Sequence, residues 1–364
     1  MTTDLLRTPL YAVHRDAGAA MTPFAGWEMP LRYTSDLAEH AAVRERAGLF
    51  DLSHMAQIEV SGPGAAGALD RALVSRSSTL AVGKARYTMM VAPDGGVLDD
   101  LIVYRLAETE FLVVANAANR TVVLDELTVR SGGEVHVADR TEARALIALQ
   151  GPVSTDVLAS LTDTDLATLK YYASMHAEVA GVPVLLARTG YTGEVGFELS
   201  VPAASAVPLW SALLDAGAGA GVVPCGLACR DTLRLEAGMP LYGHELSRDV
   251  TPYEANLGRV VDLEHDFVGR DALADRKEHP SGTVLVGLAG EGRRAARAGS
   301  TVLDGDGAIG TVTSGVLSPT LGHPVAMALI EGARAAAGTS LEVDVRGKRQ
   351  PVTVVELPFY RRPR

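Results

Sequence analysis

Four segments set polar groups into otherwise apolar stretches: Gly95-Gly96-Val97-Leu98-Asp99-Asp100-Leu101-Ile102-Val103, Arg188-Thr189-Gly190-Tyr191-Thr192-Gly193-Glu194, Gly196-Phe197-Glu198-Leu199 and Gly226-Leu227-Ala228-Cys229-Arg230-Asp231. They supply carboxylates, an arginine and tyrosines, but no nucleophile–base pair and no cluster with metal-ligand spacing. That inventory suits recognition of a flat, polar heterocycle, with one carboxylate left for chemistry.

Glu198 alternates with Phe197 and Leu199, so on a strand it faces away from them. A carboxylate there can accept two parallel N–H bonds from a ring bearing a 2-amino group beside a ring N–H, the edge that pterins and guanines carry. Pattern alone favours the polar face of a half-exposed strand. Asp99 and Asp100 point to opposite faces of a strand and cannot form a close dyad. Asp100 shares parity with Ile102 and Tyr104, and Asp99 with Leu101, Val103 and Arg105. Burial of either carboxylate would raise its pKa towards a range useful for proton transfer; the competing reading is a turn aspartate bonded to its own backbone. Arg230 falls near the start of a helix expected from Leu227 to Ala237, where a solvated face is the default. Tyr87 and Tyr104 read as core aromatics. Tyr191, at the tip of a glycine-bounded turn, must pack on something to be worth its cost there.

The elements that position these groups alternate between strand and helix. A short helix is expected in Leu10 to Ala19, then a loop at Phe24–Pro30 broken by Gly and Pro. A second helix is expected from Leu37 to Ala47, capped by Ser35 or Asp36 and stopped at Gly48. Gln57–Val60 reads as a strand and Ala65–Leu73 as a helix. Tyr87–Val91 and Val97–Leu106 read as a hairpin across Pro93-Asp94-Gly95-Gly96. A strand at Phe111–Ala115, a helix at Arg120–Arg130 and a strand at Leu146–Gln150 follow. Strands at Val182–Ala187 and Gly196–Val201 flank the Thr-Gly-Tyr-Thr-Gly turn. The charged run Ala274 to Gly282, with Pro280, marks a boundary between residues 1–278 and 279–364. Beyond it, five short strands separated by Gly- and Asp-rich turns suggest a small barrel.

The chain has 364 residues, enough for two or three domains, and a net charge of −11 without a dense Lys/Arg footprint, which argues against nucleic-acid binding. No run of about 18 uncharged apolar residues occurs, so no membrane span is expected. Cys225 and Cys229 are the only cysteines; they suit a reducing compartment and read as buried small residues, with no metal site. Gly62-Pro63-Gly64-Ala65-Ala66-Gly67 mimics a dinucleotide fingerprint but lacks the ribose-binding acid some twenty residues on. Asp51, Ser53 and His54 lie too close in sequence to form a catalytic relay.

Taken together, Phe24-Ala25-Gly26-Trp27-Glu28-Met29-Pro30, Phe50-Asp51-Leu52-Ser53-His54-Met55, the Gly95–Asp100 run and Asn116-Ala117-Ala118-Asn119 resemble the glycine cleavage T-protein family. So do the Arg188–Glu194 turn, Gly196–Leu199, Arg234-Leu235-Glu236-Ala237-Gly238-Met239, Leu241-Tyr242-Gly243 and the run from Gly310 to Leu321. The resemblance spans nearly the whole chain. It implies an α+β fold: a bilobal folate-binding body of mixed sheets and helices, with a C-terminal β-barrel domain. It implies aminomethyl transfer from a lipoylated carrier (H) protein to tetrahydrofolate in the cytoplasm, with no nucleic acid or membrane as partner. On the matching positions it places the catalytic aspartate at Asp100, the pterin-binding glutamate at Glu198 and a folate-contacting arginine at Arg230. Tyr191, Tyr87, Asn116, Met55 and Arg361 match further folate-lining positions. Two rivals keep the fold: a folate-dependent demethylase acting on a small methylated donor, and a non-catalytic folate-binding protein. The chain departs from the family pattern at Cys229 and at Gly243-His244-Glu245-Leu246, neither of which touches the expected chemistry.

Overall fold

The computed structural model describes residues 4–133 and 135–363. The chain forms two compact units. The first comprises Met1–Ala72, Arg76–Tyr87 and Leu101–Asp231, the second Leu73–Ser75, Thr88–Asp100 and Thr232–Arg364.

The first unit holds a six-stranded sheet in the order Ser174–Val179, Val182–Ala187, Gly196–Pro202, Arg144–Gln150, Gly48–Asp51, Val223–Pro224. Neighbours are antiparallel except the last pair, which is parallel. Phe197, Leu199 and Val201 alternate into the core against Ile147, Leu149 and Trp210 of the helix Ala206–Gly217. The strand Gly196–Pro202 is therefore buried on one face by period-two patterning. Its other face is buried too: every residue from Gly196 to Val201 is buried. The strands Glu110–Ala115, Ala56–Ser61 and His136–Asp139 pair antiparallel in a second sheet, with Tyr104 of Val97–Ala107 opposite Leu112.

The expected loop at Phe24–Pro30 is instead a hairpin of Ala20–Phe24 and Trp27–Arg32. Ala25 and Gly26 turn the corner with φ of 49° and 83°, the left-handed pair a tight hairpin needs. Pro23 and Pro30 are tolerated because the ribbon is only two strands wide, so a missing N–H can sit on its outer edge. Ser35 caps the next helix, Asp36–Glu45, its hydroxyl accepting from Ala38 N at 3.2 Å.

The second unit contains a closed barrel in the order Thr283–Gly290, Pro324–Glu331, Gly307–Leu317, Thr301–Asp304, Ser340–Asp344, Arg349–Val355. Its first strand pairs with both Pro324–Glu331 and Arg349–Val355, which completes the ring. Val302, Val312, Ile330 and Val343 fill the interior. Six strands replace the five expected. Thr301–Asp304 is short and runs into the Gly305–Gly307 turn, so it lacks the alternation that marks its neighbours. Within this unit the Arg234 guanidinium, 1% exposed, donates to Glu245 Oε2 at 2.9 Å and to Ser314 Oγ at 2.7 Å. Glu236 accepts from Thr320 Oγ1 at 2.7 Å. These bonds fasten the barrel strand Gly307–Leu317 and the turn that follows it to the helix Leu227–Glu236. No helix among the described residues is long and apolar enough to cross a membrane.

Candidate functional site

Glu198 is the centre of the arrangement in the first unit. It sits mid-strand, between Ala148 on one side and Ala187 on the other, and is 8% exposed. The expectation of a half-exposed polar face is thus corrected: neighbouring strands flank this one on both sides, and the carboxylate lies inside. Thr189 Oγ1 donates to its Oε2 at 2.6 Å, and the Tyr104 hydroxyl donates to the same oxygen at 3.3 Å. Burial, followed by the charge of Glu198, pushes the Tyr104 phenol well above its usual range, so it stays a neutral donor. Among the described residues nothing hydrogen-bonds Oε1. A buried carboxylate with one oxygen satisfied by the protein and one open is prepared for N–H groups brought by a ligand.

The turn that carries Thr189 and Tyr191 is pinned from below. Gln150 Nε2 donates to Thr189 O at 3.1 Å, and its Oε1 accepts from Thr192 Oγ1 at 3.0 Å. Arg44 donates to Thr192 O at 2.7 Å and to Glu194 Oε1 at 2.9 Å. Gly190 and Gly196 approach the Gln150 side chain so closely that a Cβ at either position would overlap it. The glycines that bound the motif therefore make room for the amide that holds it.

Arg230 rises from the start of the helix Leu227–Glu236, and its guanidinium lies over the Tyr191 ring. Burial lowers its pKa, and the charges it feels from Tyr191 and Glu198 oppose that shift. The helix start is fixed by Glu39. Its Oε2 accepts from Gly226 N at 2.8 Å, while Oε1 accepts from Tyr33 N at 2.7 Å and Thr34 N at 2.9 Å. Cys225 and Cys229 are buried, form no disulfide and gather with Glu39, one ligand atom of each lying within 4.8 Å of the others. The carboxylate is already committed to the backbone, and burial drives the Cys225 thiol well above its usual range, away from the thiolate a metal needs.

Asp51 forms a relay whose side-chain partners, Thr8 and His14, the sequence did not suggest. Its Oδ2 lies 2.6 Å from the donating Thr8 hydroxyl and 2.8 Å from His14 Nε2, and its Oδ1 accepts from Ser53 N at 2.8 Å. Burial opposes ionisation of Asp51; the bonds from His14, Ser53 and Thr8 outweigh it and hold the carboxyl below the usual range. His14 Nδ1 is 2.8 Å from the Tyr33 hydroxyl. His54 takes no part in this relay.

The structure thus brings Glu198, Tyr191 and Arg230 together. Tyr104 and Thr189, the protein's own partners for Glu198, were not singled out as such from sequence; the shared parity of Asp100, Ile102 and Tyr104 on one strand was the available signal. Tyr87, Asn116 and Met55 are half-buried residues of the first unit. Asp100 and Arg361 belong to the second unit, where Asp100 is half-buried, Asp99 fully buried and Arg361 exposed. There the segment leading to Asp100 is stapled in place: Val97 N donates to Val250 O at 3.0 Å and the Tyr242 hydroxyl to Val97 O at 3.2 Å.

Comparison with known proteins adds to this geometry. The family model for the GCVT N-terminal domain matches residues 10–265, and that for the glycine cleavage T-protein C-terminal barrel domain matches residues 284–361. An aminomethyltransferase of Streptomyces avermitilis is 61% identical over 362 residues, covering 98% of this chain and 97% of its own. One from Moorella thermoacetica is 47% identical and covers 99% of each. The crystal structure of glycine cleavage system aminomethyltransferase T from Bartonella henselae superposes with a TM-score of 0.92 at 38% identity, over 99% of both chains.

Proposed function

The chain belongs to the glycine cleavage T-protein family, and from that premise we propose how its own residues carry out tetrahydrofolate-dependent aminomethyl transfer. The donor is an aminomethyl group on the dihydrolipoyl arm of a lipoylated carrier (H) protein. Both the S–CH2 and the CH2–N bonds break as the carbon gains bonds to two nitrogens of tetrahydrofolate, giving 5,10-methylenetetrahydrofolate; the sulfur leaves as the reduced thiol arm, taking up a proton, and the nitrogen leaves as ammonia.

The observation that carries the reading is Glu198: a buried carboxylate with Thr189 and Tyr104 on one oxygen and the other open. That donor and acceptor set fits the 2-amino and ring N–H edge of a pterin. Arg230 and Tyr191 supply a cation and an aromatic face beside it, with Tyr87, Asn116, Met55 and Arg361 assigned to the rest of the folate. Asp100 is assigned the chemistry: it accepts a proton from the reacting amines and stabilises positive charge that develops at the transferred carbon. Holding the folate nitrogens against that carbon supplies much of the acceleration. The same reading divides the chain into a folate-binding body of residues 1–278 and a barrel domain of residues 279–364, and puts the protein in the cytoplasm.

The test is production of ammonia and methylenetetrahydrofolate from aminomethyl-loaded lipoyl carrier, with and without tetrahydrofolate, by wild type and Asp100→Ala. Folate-dependent turnover that collapses in the variant, with folate affinity kept, is the expected result. Turnover of free methylated amines without the carrier would move the protein to the demethylase reading. Tight folate binding with no turnover of either donor would leave the binding-protein reading.

A further inference from the structure

Gln150 ends the strand Arg144–Gln150 and is fully buried, so it touches no ligand. Both protons of its amide are engaged: Nε2 donates to Thr189 O at 3.1 Å and to Phe197 O at 3.4 Å. On the other side the Thr192 hydroxyl donates to Oε1 at 3.0 Å and itself accepts from Glu194 N at 3.3 Å. These partners fix which way the amide points, because a reversed amide would set its oxygen against two carbonyl oxygens. The two carbonyls belong to Thr189 and to the residue before Glu198, and the side chains of Thr189 and Glu198 meet at 2.6 Å. One nitrogen thus ties the turn and the strand together on either side of that bond. Gly190 and Gly196 do not have left-handed backbone, so conformation does not demand glycine at either position. Room does: a Cβ at either would run into the Gln150 amide. The turn is already held elsewhere, by Arg44 on Thr192 O and Glu194, and by Gly151 N donating to Val195 O at 2.7 Å. A third tie that costs two side chains needs a reason beyond the shape of the turn.

We propose that Gln150 is a positioning residue for pterin recognition: its amide sets the Thr189 hydroxyl on one oxygen of Glu198, so that the other is left for the ligand. This rests on the functional reading above, in which Glu198 takes the 2-amino and ring N–H edge. A carboxylate free to rotate offers neither oxygen in a fixed direction, and a bidentate pair needs both the plane and the direction. The Thr189 hydroxyl supplies that direction only while the turn and the strand Gly196–Pro202 keep their spacing, and Gln150 bonds to both. Without the amide, the hydroxyl drifts from Oε2 and the carboxylate turns with it. The ligand must then restore the order before it can bind. The effect belongs to the pterin end of the folate and to binding, not to the chemistry assigned to Asp100.

The experiment measures anaerobic binding of tetrahydrofolate, and of tetrahydrobiopterin, which has the same pterin edge and no aminobenzoyl-glutamate. The proteins are wild type, Gln150→Met, Thr189→Val and the double variant, each also assayed for turnover of the aminomethyl-loaded carrier. Methionine keeps the length and bulk of the side chain and removes the amide. Expected for Gln150→Met is a loss of about tenfold in affinity for both ligands, with a matching rise in KM for tetrahydrofolate and a change in kcat of under about threefold. Added to Thr189→Val, the same substitution should cost under about twofold more, because its route to Glu198 is already cut. A merely structural role would lower the fraction of competent protein, and so kcat, and leave KM alone. Unchanged affinity in Gln150→Met, the full loss repeated in the Thr189→Val background, or a loss confined to tetrahydrofolate overturns the proposal. Should Gln150→Met not fold, Gln150→Glu makes the same comparison, since it keeps the acceptor for Thr192 and exchanges the NH2 for an oxygen. Wild-type protein that bound neither ligand would overturn the functional reading; binding lost in Glu198→Ala but kept in Gln150→Met would overturn this assignment alone.

Discussion

The Arg230 guanidinium lies 4.7 Å from the centroid of the Tyr191 ring. One residue opens a helix and the other tops a glycine turn, so the stack joins two elements that are otherwise pinned separately, by Glu39 and by Gln150. A planar cation over an aromatic face is not reproduced by an ammonium. Arg230→Lys is expected to weaken tetrahydrofolate binding about tenfold, whereas Tyr191→Phe keeps the face and costs less. Isothermal calorimetry on the two variants reads the difference; equal losses would show that the tyrosine hydroxyl, not the ring, matters.

Thr189 holds Glu198 more closely than Tyr104 does, at 2.6 Å against 3.3 Å. Thr189→Val leaves a buried carboxylate oxygen with its longer bond alone. The expected loss of folding free energy is about 1–3 kcal/mol, and Tyr104→Phe should cost less. Urea titration of both variants ranks them, and the reverse order would mean that the phenol is the principal partner.

The Arg234–Glu245 pair is 1% and 0% exposed. Removing one partner of such a pair strands a charge, at a cost of about 3–5 kcal/mol. Arg234→Met should therefore destabilise strongly, and Arg234→Met combined with Glu245→Gln should recover part of the loss. Calorimetric unfolding of the single and double variants checks this; a double variant less stable than the single one would show that the ion pair is not the dominant contact.

His54 makes acid stability sensitive to a single ring. Its folded pKa of about 4 lies below the ordinary value of 6.5, so between those values the unfolded chain binds a proton that the folded chain refuses. Stability is then complete above about pH 6.5 and falls as pH drops towards 4, by roughly 3 kcal/mol for this group. Asp51, held below 3.8, adds its loss only at lower pH. Melting temperatures of wild type and His54→Phe across that window should converge as pH falls, and parallel curves would rule the residue out as the cause.

Local patterning made much of this legible. Ser35 caps its helix, Arg120–Arg130 is helical, and the barrel strands from Thr283 onward follow alternation of apolar residues. The Ala20–Arg32 hairpin was hidden because two prolines suggest a loop, while the decisive feature is the left-handed pair Ala25-Gly26. Burial of Glu198 was hidden for a different reason. Its strand neighbours come from residues about fifty positions earlier and about ten earlier, and only their pairing on both sides turns a polar face inward. Likewise, Asp51 takes His14 as its partner across 37 residues, a distance at which spacing carries no signal.

The barrel's first strand, Thr283–Gly290, finds one of its two partners only in Arg349–Val355. During synthesis that edge stays open until the last barrel strand has left the ribosome, and an unpaired edge is a template for a second chain. Yield of soluble protein should therefore fall sharply for chains cut before Val352 and respond to chaperone supply more than it does for substitutions at the residues proposed to bind folate. The arrival of that one strand decides whether the newborn molecule closes on itself or joins its neighbour.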